Sequence, residues 1–191
     1  MNGTPRVESP ADELLMLEVQ RGDPRKLAVL FERHHGSLFN FYVRLTGDRD
    51  ASEDLVQDVF FRMLKYRHTY REGMQFTTWM YQIARNARSD YFRKRNHEVA
   101  LDEERDWPAG GAVAPVANLE ARQEAALLRR ALVSLPQEKR EALVLSRFQN
   151  LRYEQIGEIL GCDAGAVKVR VYRAIRELRE VFFRMSGRKA S

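Results

Sequence analysis

Apolar residues recur every three or four positions along most of the chain, which is the spacing of helices with one buried face. Alternating apolar and polar runs, the sign of half-buried strands, are nearly absent. The sequence therefore predicts an all-α protein. We expect helices at about 11–21, 24–47, 50–66 and 77–94 in the first half, and at about 120–133, 136–149, 152–160 and 164–184 in the second.

The stretch between these two halves has a different composition. Asp102, Glu103, Glu104 and Asp106 are followed by a run rich in Gly, Ala and Pro that ends at Pro115. Such a segment has no apolar stripe to bury, and it is typical of a linker. The pattern predicts two small helical domains, residues 11–97 and 120–184, joined by an acidic flexible linker at 98–119.

Residues 153–179 have the pattern of a helix-turn-helix. The helix at 153–160 buries Ile156 and Ile159, and Gly157 is small enough for a second helix to cross closely. Gly161 permits the left-handed conformation that ends a helix, and Asp163 is suited to cap the next one. The second helix of such a pair fits the major groove of duplex DNA.

The second helix of this pair has two distinct faces. Val167, Val171, Ala174, Ile175 and Leu178 form an apolar stripe at helical spacing. Guanidinium forks suit guanine edges, and Lys and Arg also suit phosphates. The alternative is a plain solvated basic face. The candidate DNA readers on the opposite side and its flanks are Lys168, Val169, Arg170, Tyr172, Arg173 and Arg176.

The helix at 77–94 mixes arginines with aromatic residues. Its predicted core stripe is Phe76, Met80, Ile83, Ala84, Ala87 and Tyr91. The predicted outward face, which includes Thr78, Tyr81, Gln82, Arg85, Arg88, Phe92 and Arg93, suits single-stranded nucleic acid, since phosphates meet cations and unstacked bases meet rings. Alternatively, Trp79, Tyr81 and Phe92 pack against another helix and the arginines are merely solvated.

The helix at 50–66 opens with a capping-box pattern at residues 50–53. Its outer side carries Asp54, Gln57, Asp58 and Phe61, so a large ring lies among polar residues. An exposed ring in a polar patch is typical of a partner-binding surface, although a single exposed Phe is also common without any function.

Composition excludes several other classes of protein. The single cysteine, Cys162, excludes an internal disulfide or a cysteine-rich zinc site, and the four histidines are scattered. No nucleophile–base pair or phosphate-cradling glycine loop is present, so we expect neither an enzyme nor a cofactor. No apolar run spans a membrane and residues 1–10 lack a signal-peptide pattern, so we expect a cytoplasmic protein. The net charge of +5 is a weak sign of an anionic partner.

Three motifs, in order and spacing, resemble the extracytoplasmic-function (ECF) sigma factors, the small two-domain members of the sigma-70 family. The resemblance covers about residues 11–97 and 120–180. Any one motif alone is unspecific, but three at matching separations are specific. Residues 50–60 resemble region 2.2, residues 76–86 and 90–95 resemble regions 2.3 and 2.4, and residues 135–136, 153–161 and 165–174 resemble region 4.

The resemblance implies a role for each surface. Core RNA polymerase would bind the face formed by Asp54, Gln57, Asp58 and Phe61. The −35 element would be read by the candidate readers of the last helix, and the acidic linker would thread toward the polymerase active site. An anti-sigma factor is an expected partner. The −10 element would contact Tyr70, Phe76, Trp79, Arg85, Asn86, Arg88, Arg93, Lys94 and Arg95, with the 70–76 loop and Asn86 capturing an unstacked base.

The chain departs from the family pattern at the start of the last helix. Ala166 replaces a hydroxyl and Val169 replaces a polar reader. Gly157 stands where alanine is usual, and this change is sterically tolerable. These departures leave the −35 sequence open. Rival interpretations are a helix-turn-helix regulator that works without polymerase, a decoy that binds only an anti-sigma factor, and, more remotely, an RNA-processing enzyme.

Overall fold

The computed structural model describes residues 11–99 and 119–187. Within these ranges the chain forms eight α-helices and one short 3-10 turn at Arg67–Thr69, and no strand. The all-α prediction is therefore confirmed, while the predicted acidic linker lies almost entirely outside the described residues. The helices are α1 (Asp12–Gln20), α2 (Arg25–Thr46), α3 (Arg49–Lys65), α4 (Phe76–Val99), α5 (Leu119–Val133), α6 (Gln137–Arg147), α7 (Tyr153–Leu160) and α8 (Ala164–Ser186).

The N-terminal domain, α1 to α4, buries one face of each helix in a common core. Leu30, Leu38, Val59, Met63 and Met80 have essentially no solvent exposure. Burying a side chain of this size contributes about 1.5–3 kcal/mol, so the regular apolar spacing largely determines how these helices pack. Not every apolar residue at this spacing is buried, since Leu14, Phe31 and Tyr66 are exposed.

Some helix boundaries in the structure differ from the predicted ones, and at α3 the N-cap residue explains the difference. The predicted capping box at residues 50–53 is wrong, because the N-cap of α3 is Asp48, whose carboxylate accepts a hydrogen bond from the amide of Ala51 at 3.1 Å. The helix starts two residues earlier than a cap at Asp50 allows. Helix α4 also continues to Val99, past the residue where the linker was expected to begin.

The C-terminal domain, α5 to α8, is built around the helix-turn-helix of α7 and α8. Its core includes Leu143, Ile156, Val167 and Val171, all buried. Gly161 adopts a left-handed φ of 70° at the end of α7, and Asp163 accepts a hydrogen bond from the amide of Ala166 at 2.8 Å. Gly161 and Asp163 therefore have the predicted roles at the two helix ends.

The two domains pack against each other in the described structure. Helices α5 and α6 contact α2, and α7 contacts α4. Arg140 of α6 donates a hydrogen bond to the backbone oxygen of Leu45 in α2, and the Arg44 guanidinium lies 4.4 Å from the ring centre of Phe148. The hydrophobic pattern predicts the two domains but contains no signal for this closed arrangement.

Candidate nucleic-acid and polymerase interfaces

Helix α8 holds its apolar stripe inward and its candidate DNA readers outward. Val167, Val171 and Ala174 are fully buried, which fixes the rotation of the helix on the domain. Val169 is 48% exposed and Tyr172 is 63% exposed. Ile175, predicted to belong to the apolar stripe, is instead exposed. The remaining readers also lie on the outer side: Lys168, Arg173 and Arg176 are exposed, and Arg170 is half-buried, 3.6 Å from the carboxylate of Glu138.

The turn between α7 and α8 requires a small residue at position 157. A Cβ added to Gly157 would lie 2.5 Å from the backbone oxygen of Cys162. The close approach comes from the turn itself, because the amide of Cys162 donates to the Gly157 oxygen at 3.0 Å. Alanine, the usual residue of the resembling family at this position, therefore does not fit this backbone without a shift, whereas glycine does. The close contact is made by the turn rather than by the predicted crossing of a second helix.

The outward side of α4 is covered by the C-terminal domain, which the sequence does not predict. Thr78, Tyr81 and Arg88 were expected to face solvent and are instead 3–7% exposed. Arg88 donates to a carboxylate oxygen of Glu141 at 2.9 Å, and Arg85 donates to the other oxygen of the same group at 3.3 Å. Burial lowers the pKa of Arg88 despite this partner.

The aromatic residues at the start of α4 belong to the core. Tyr70, Phe76 and Trp79 are 0–5% exposed, and the Tyr70 and Trp79 rings meet edge to face with centres 5.1 Å apart. The Trp79 indole donates to the hydroxyl of Thr69 at 3.3 Å. In this structure these three rings shape the 70–76 loop and have no open face for a base. The prediction that Trp79 packs against its neighbours matches its burial.

The other candidates for −10 contacts lie along the outside of α4. Asn86 and Lys94 are exposed, and the side chain of Arg85 is 41% exposed. Arg93 donates to Asp90 at 2.8 Å, and Arg95 lies 3.6 Å from Asp48. The structure therefore separates the nine predicted −10 residues into buried rings, one buried arginine, and an exposed polar group.

Helix α3 carries the candidate polymerase face. Phe61 is 65% exposed, and Asp54 and Gln57 on the same side are also exposed. Arg62 donates to Asp58 at 2.8 Å and to Asp90 of α4 at 2.7 Å, which ties the two helices together beside this face. The hydrogen bond from Arg62 lowers the pKa of Asp90, so the carboxylate stays charged at neutral pH.

Two charged residues of α6 that contact the other domain were not predicted from the sequence. Glu141 is 2% exposed, and Arg140 beside it is also largely enclosed, with burial lowering its pKa to about 10. On a helical wheel both lie among ordinary charged residues of α6. Only their partners on the other domain distinguish them, and those partners are more than fifty residues away along the chain.

The described residues contain no cluster of metal-ligating side chains. Among the helices of those ranges, none has the length and apolar character needed to span a membrane.

Comparison with known proteins assigns the family. The Sigma-70 region 2 model matches residues 30–98, and the Sigma-70, region 4 model matches residues 125–178. The ECF RNA polymerase sigma-E factor of Escherichia coli (strain K12) is 30% identical over 176 residues, covering 87% of this chain and 92% of that protein. The RNA polymerase sigma factor CarQ of Myxococcus xanthus is 32% identical over 155 residues, covering 80% of this chain and 86% of that protein.

A solved structure agrees with these sequence relatives. The sigma factor RpoE in complex with the anti-sigma factor NepR from Bartonella quintana superposes with a TM-score of 0.70 at 28% identity, covering 81% of this chain and 94% of that one. The two halves of the chain correspond to two regions of one family, and the sequence relatives match across almost their whole length. The chain belongs to the ECF sigma factors of the sigma-70 family, the promoter-recognition subunits of bacterial RNA polymerase.

Proposed function

We propose that this sigma factor binds core polymerase through the α3 face, reads the −35 element with α8, and opens the duplex at the −10 element with α4. The observation that carries the proposal is the outward face of α8. A capped helix, fixed by three buried side chains, presents cations and a tyrosine ring to solvent. Major-groove readers need this combination of rigidity and exposed donors.

At the −35 element we assign base contacts to Lys168, Arg173 and Tyr172, since all three are exposed on the outer side of α8. Val169 replaces a polar reader and offers an apolar contact for a thymine methyl group. Arg170 and Arg176 flank this face and suit phosphates. The assignment predicts a −35 element with at least one thymine that Val169 selects by van der Waals contact.

At the −10 element we assign base capture to Asn86 and the loop at residues 70–76. Unstacking a base costs a few kcal/mol, and capture by an amide within a basic groove offsets that cost. Arg85, Arg93, Lys94 and Arg95 are cations of the same helix and suit the strand's phosphates. The buried rings of Tyr70, Phe76 and Trp79 support the loop from below.

We further propose that the chain acts as a dissociable cytoplasmic factor with no catalysis of its own, and that an anti-sigma factor restrains it. The support for the last point is the Bartonella quintana relative, whose structure was solved with the anti-sigma factor NepR.

The experiment that tests the melting role is permanganate footprinting of unpaired thymines in a promoter bound by holoenzyme. Asn86→Ala should abolish reactivity in the −10 element while leaving protection of the −35 element intact. Asn40→Ala is the matched control, since Asn40 is an exposed asparagine on α2 of the same domain. Equal reactivity in wild type and Asn86→Ala would remove Asn86 from the melting step.

A further inference from the structure

Glu141 is the only acidic residue among the buried side chains of the described structure. Its carboxylate lies at the domain boundary, 2.9 Å from Arg88 and 3.3 Å from Arg85 of α4. A buried charge of this kind is tolerated only when it is paired and hydrogen-bonded, because desolvation costs several kcal/mol per ion. The pairing therefore holds α6 of one domain against α4 of the other.

Further contacts extend this closure along α4. The Tyr81 hydroxyl donates to the side-chain oxygen of Gln149 at 2.6 Å, and burial raises the pKa of Tyr81 to about 12. Gln82 donates to the backbone oxygen of Glu158 at 3.2 Å, and Gln155 donates to the side chain of Gln75 at the start of the helix. Together α6, α7 and the segment between them contact Gln75 and this side of α4 as far as Arg88.

The coverage is selective. Phe61 on α3 remains 65% exposed, and Tyr172 on α8 remains 63% exposed. The faces assigned to polymerase docking and to the −35 element are therefore accessible in the closed chain. Among the proposed DNA-binding residues, the enclosed ones are Arg88 and, in part, Arg85 of α4.

The closed state also leaves polar atoms unsatisfied. Arg88 Nε, Thr78 Oγ1 and Arg140 Nε are buried and have no hydrogen-bonding partner among the described residues. Each such atom carries a desolvation penalty that an open, hydrated state removes. A domain boundary with buried polar atoms that lack hydrogen-bonding partners is easier to separate than one whose polar atoms are all paired. A reversible contact requires such ease of separation.

We propose that the C-terminal domain is an intramolecular mask of α4, the helix assigned to the −10 element. Glu141 is the latch of this mask, because its carboxylate occupies the position beside Arg85 and Arg88 that a DNA phosphate would otherwise take. The proposal rests on the proposed −10 role of these two arginines. In the closed chain the polymerase and −35 faces can engage, while Arg85 and Arg88 are occupied by Glu141 and are not available to the −10 strand. Separation of α6 from α4 then frees both arginines for the melted strand, so docking precedes strand capture.

The test compares Glu141→Gln with Glu154→Gln, an exposed position on α7 that gives the same change in net charge. Two quantities are measured on the free full-length chain. Small-angle X-ray scattering gives the radius of gyration, which rises when the domains separate. Fluorescence anisotropy gives the affinity for a labelled random-sequence DNA strand of about twenty nucleotides, longer than the site of one small domain.

Glu141→Gln should increase the radius of gyration and tighten strand binding by about tenfold or more, the effect of losing charge-assisted hydrogen bonds that favour closure. Glu154→Gln should change neither beyond the small effect of one charge. Gln149→Ala removes only the Tyr81 contact and should shift both quantities in the same direction by a smaller factor. If Glu141→Gln fails to fold, Gln149→Ala decides by the same two measurements.

Opening without tighter strand binding than in Glu154→Gln would overturn the mask, and so would tighter binding without opening. An unchanged radius together with unchanged affinity would overturn Glu141 as the latch. Promoter-dependent transcription by wild-type holoenzyme is measured in parallel. Its absence would reject the proposed function, whereas the comparison of the variants judges the mask independently of that result.

Discussion

Replacing Phe61 with alanine should weaken binding of core polymerase without unfolding the protein. About two thirds of this residue is exposed in the free chain. A Phe offers roughly 200 Å² in total, so about 130 Å² remains to be buried by a partner. At about 25 cal/mol per Å² this area corresponds to roughly 3 kcal/mol.

Part of that energy is lost to ordering at the interface, so we expect a net loss of about 2–3 kcal/mol, or a rise in Kd of roughly 30-fold to 150-fold. The assay is titration of fluorescently labelled chain with core polymerase. Leu14→Ala is the matched control, since Leu14 is a similarly exposed apolar residue on α1. An unchanged Kd for Phe61→Ala, or an equal loss for Leu14→Ala, would refute the assignment of the α3 face to polymerase.

Three further predictions concern the helix-turn-helix and the domain boundary. Asp163→Ala should lower the free energy of unfolding of the C-terminal domain by about 1 kcal/mol in urea, because it removes the N-cap of α8, and Asp163→Ser should restore most of it. Arg173→Ala should cost about 1–3 kcal/mol at one −35 position in a binding assay across single-base variants, whereas a uniform loss across all sequences would indicate a phosphate contact. Burial raises the pKa of Tyr70 and of Tyr81 to about 12, while tyrosine in an unfolded chain ionises near pH 10. The stability that these two groups support is therefore intact below about pH 10 and falls as the pH rises toward 12. Tyr81→Phe should flatten that fall in alkaline unfolding curves. An unchanged fall would mean that the Tyr81 ring is already solvated in the folded chain.

The sequence was sufficient to predict most of the fold and which sides of α3 and α8 are exposed. Periodicity places Val167 and Val171 inward on α8, and the same wheel places Phe61 outward on α3. Local rules predicted Gly161 and Asp163 correctly because a helix end depends on nearby residues. The capping box of α3 failed for a related reason, since Asp48 competes successfully with Asp50 for the same helix start.

The parts that could not be predicted depend on contacts between distant segments. A helical wheel shows that Tyr81 and Arg88 lie away from the core of their own domain, but it cannot show that a second domain covers them. Glu141 has the same limitation, because its partners lie more than fifty residues earlier in the chain. The close contact at Gly157 depends on the path of the following turn, which periodicity does not specify.

The closed arrangement bears differently on the two proposed DNA-binding surfaces. The −35 role proposed for α8 needs only its exposed face, whereas the −10 role proposed for Arg85 and Arg88 of α4 needs separation of the domains. The order of the promoter contacts should therefore depend on how salt affects domain closure and DNA binding. Binding of phosphates weakens steeply as salt rises, while a buried ion pair such as Glu141 with Arg88 is screened much less. Higher salt should therefore favour the closed chain over the strand-bound one.

The most direct test of the central claim is in vitro transcription with purified chain, core polymerase and a library of promoter fragments, sequenced from their transcripts. The account predicts selective initiation from a subset of fragments that share a −35 and a −10 element at fixed spacing, and no such selection by core polymerase alone. Transcripts no different from those of core polymerase alone, for every fragment in the library, would contradict it.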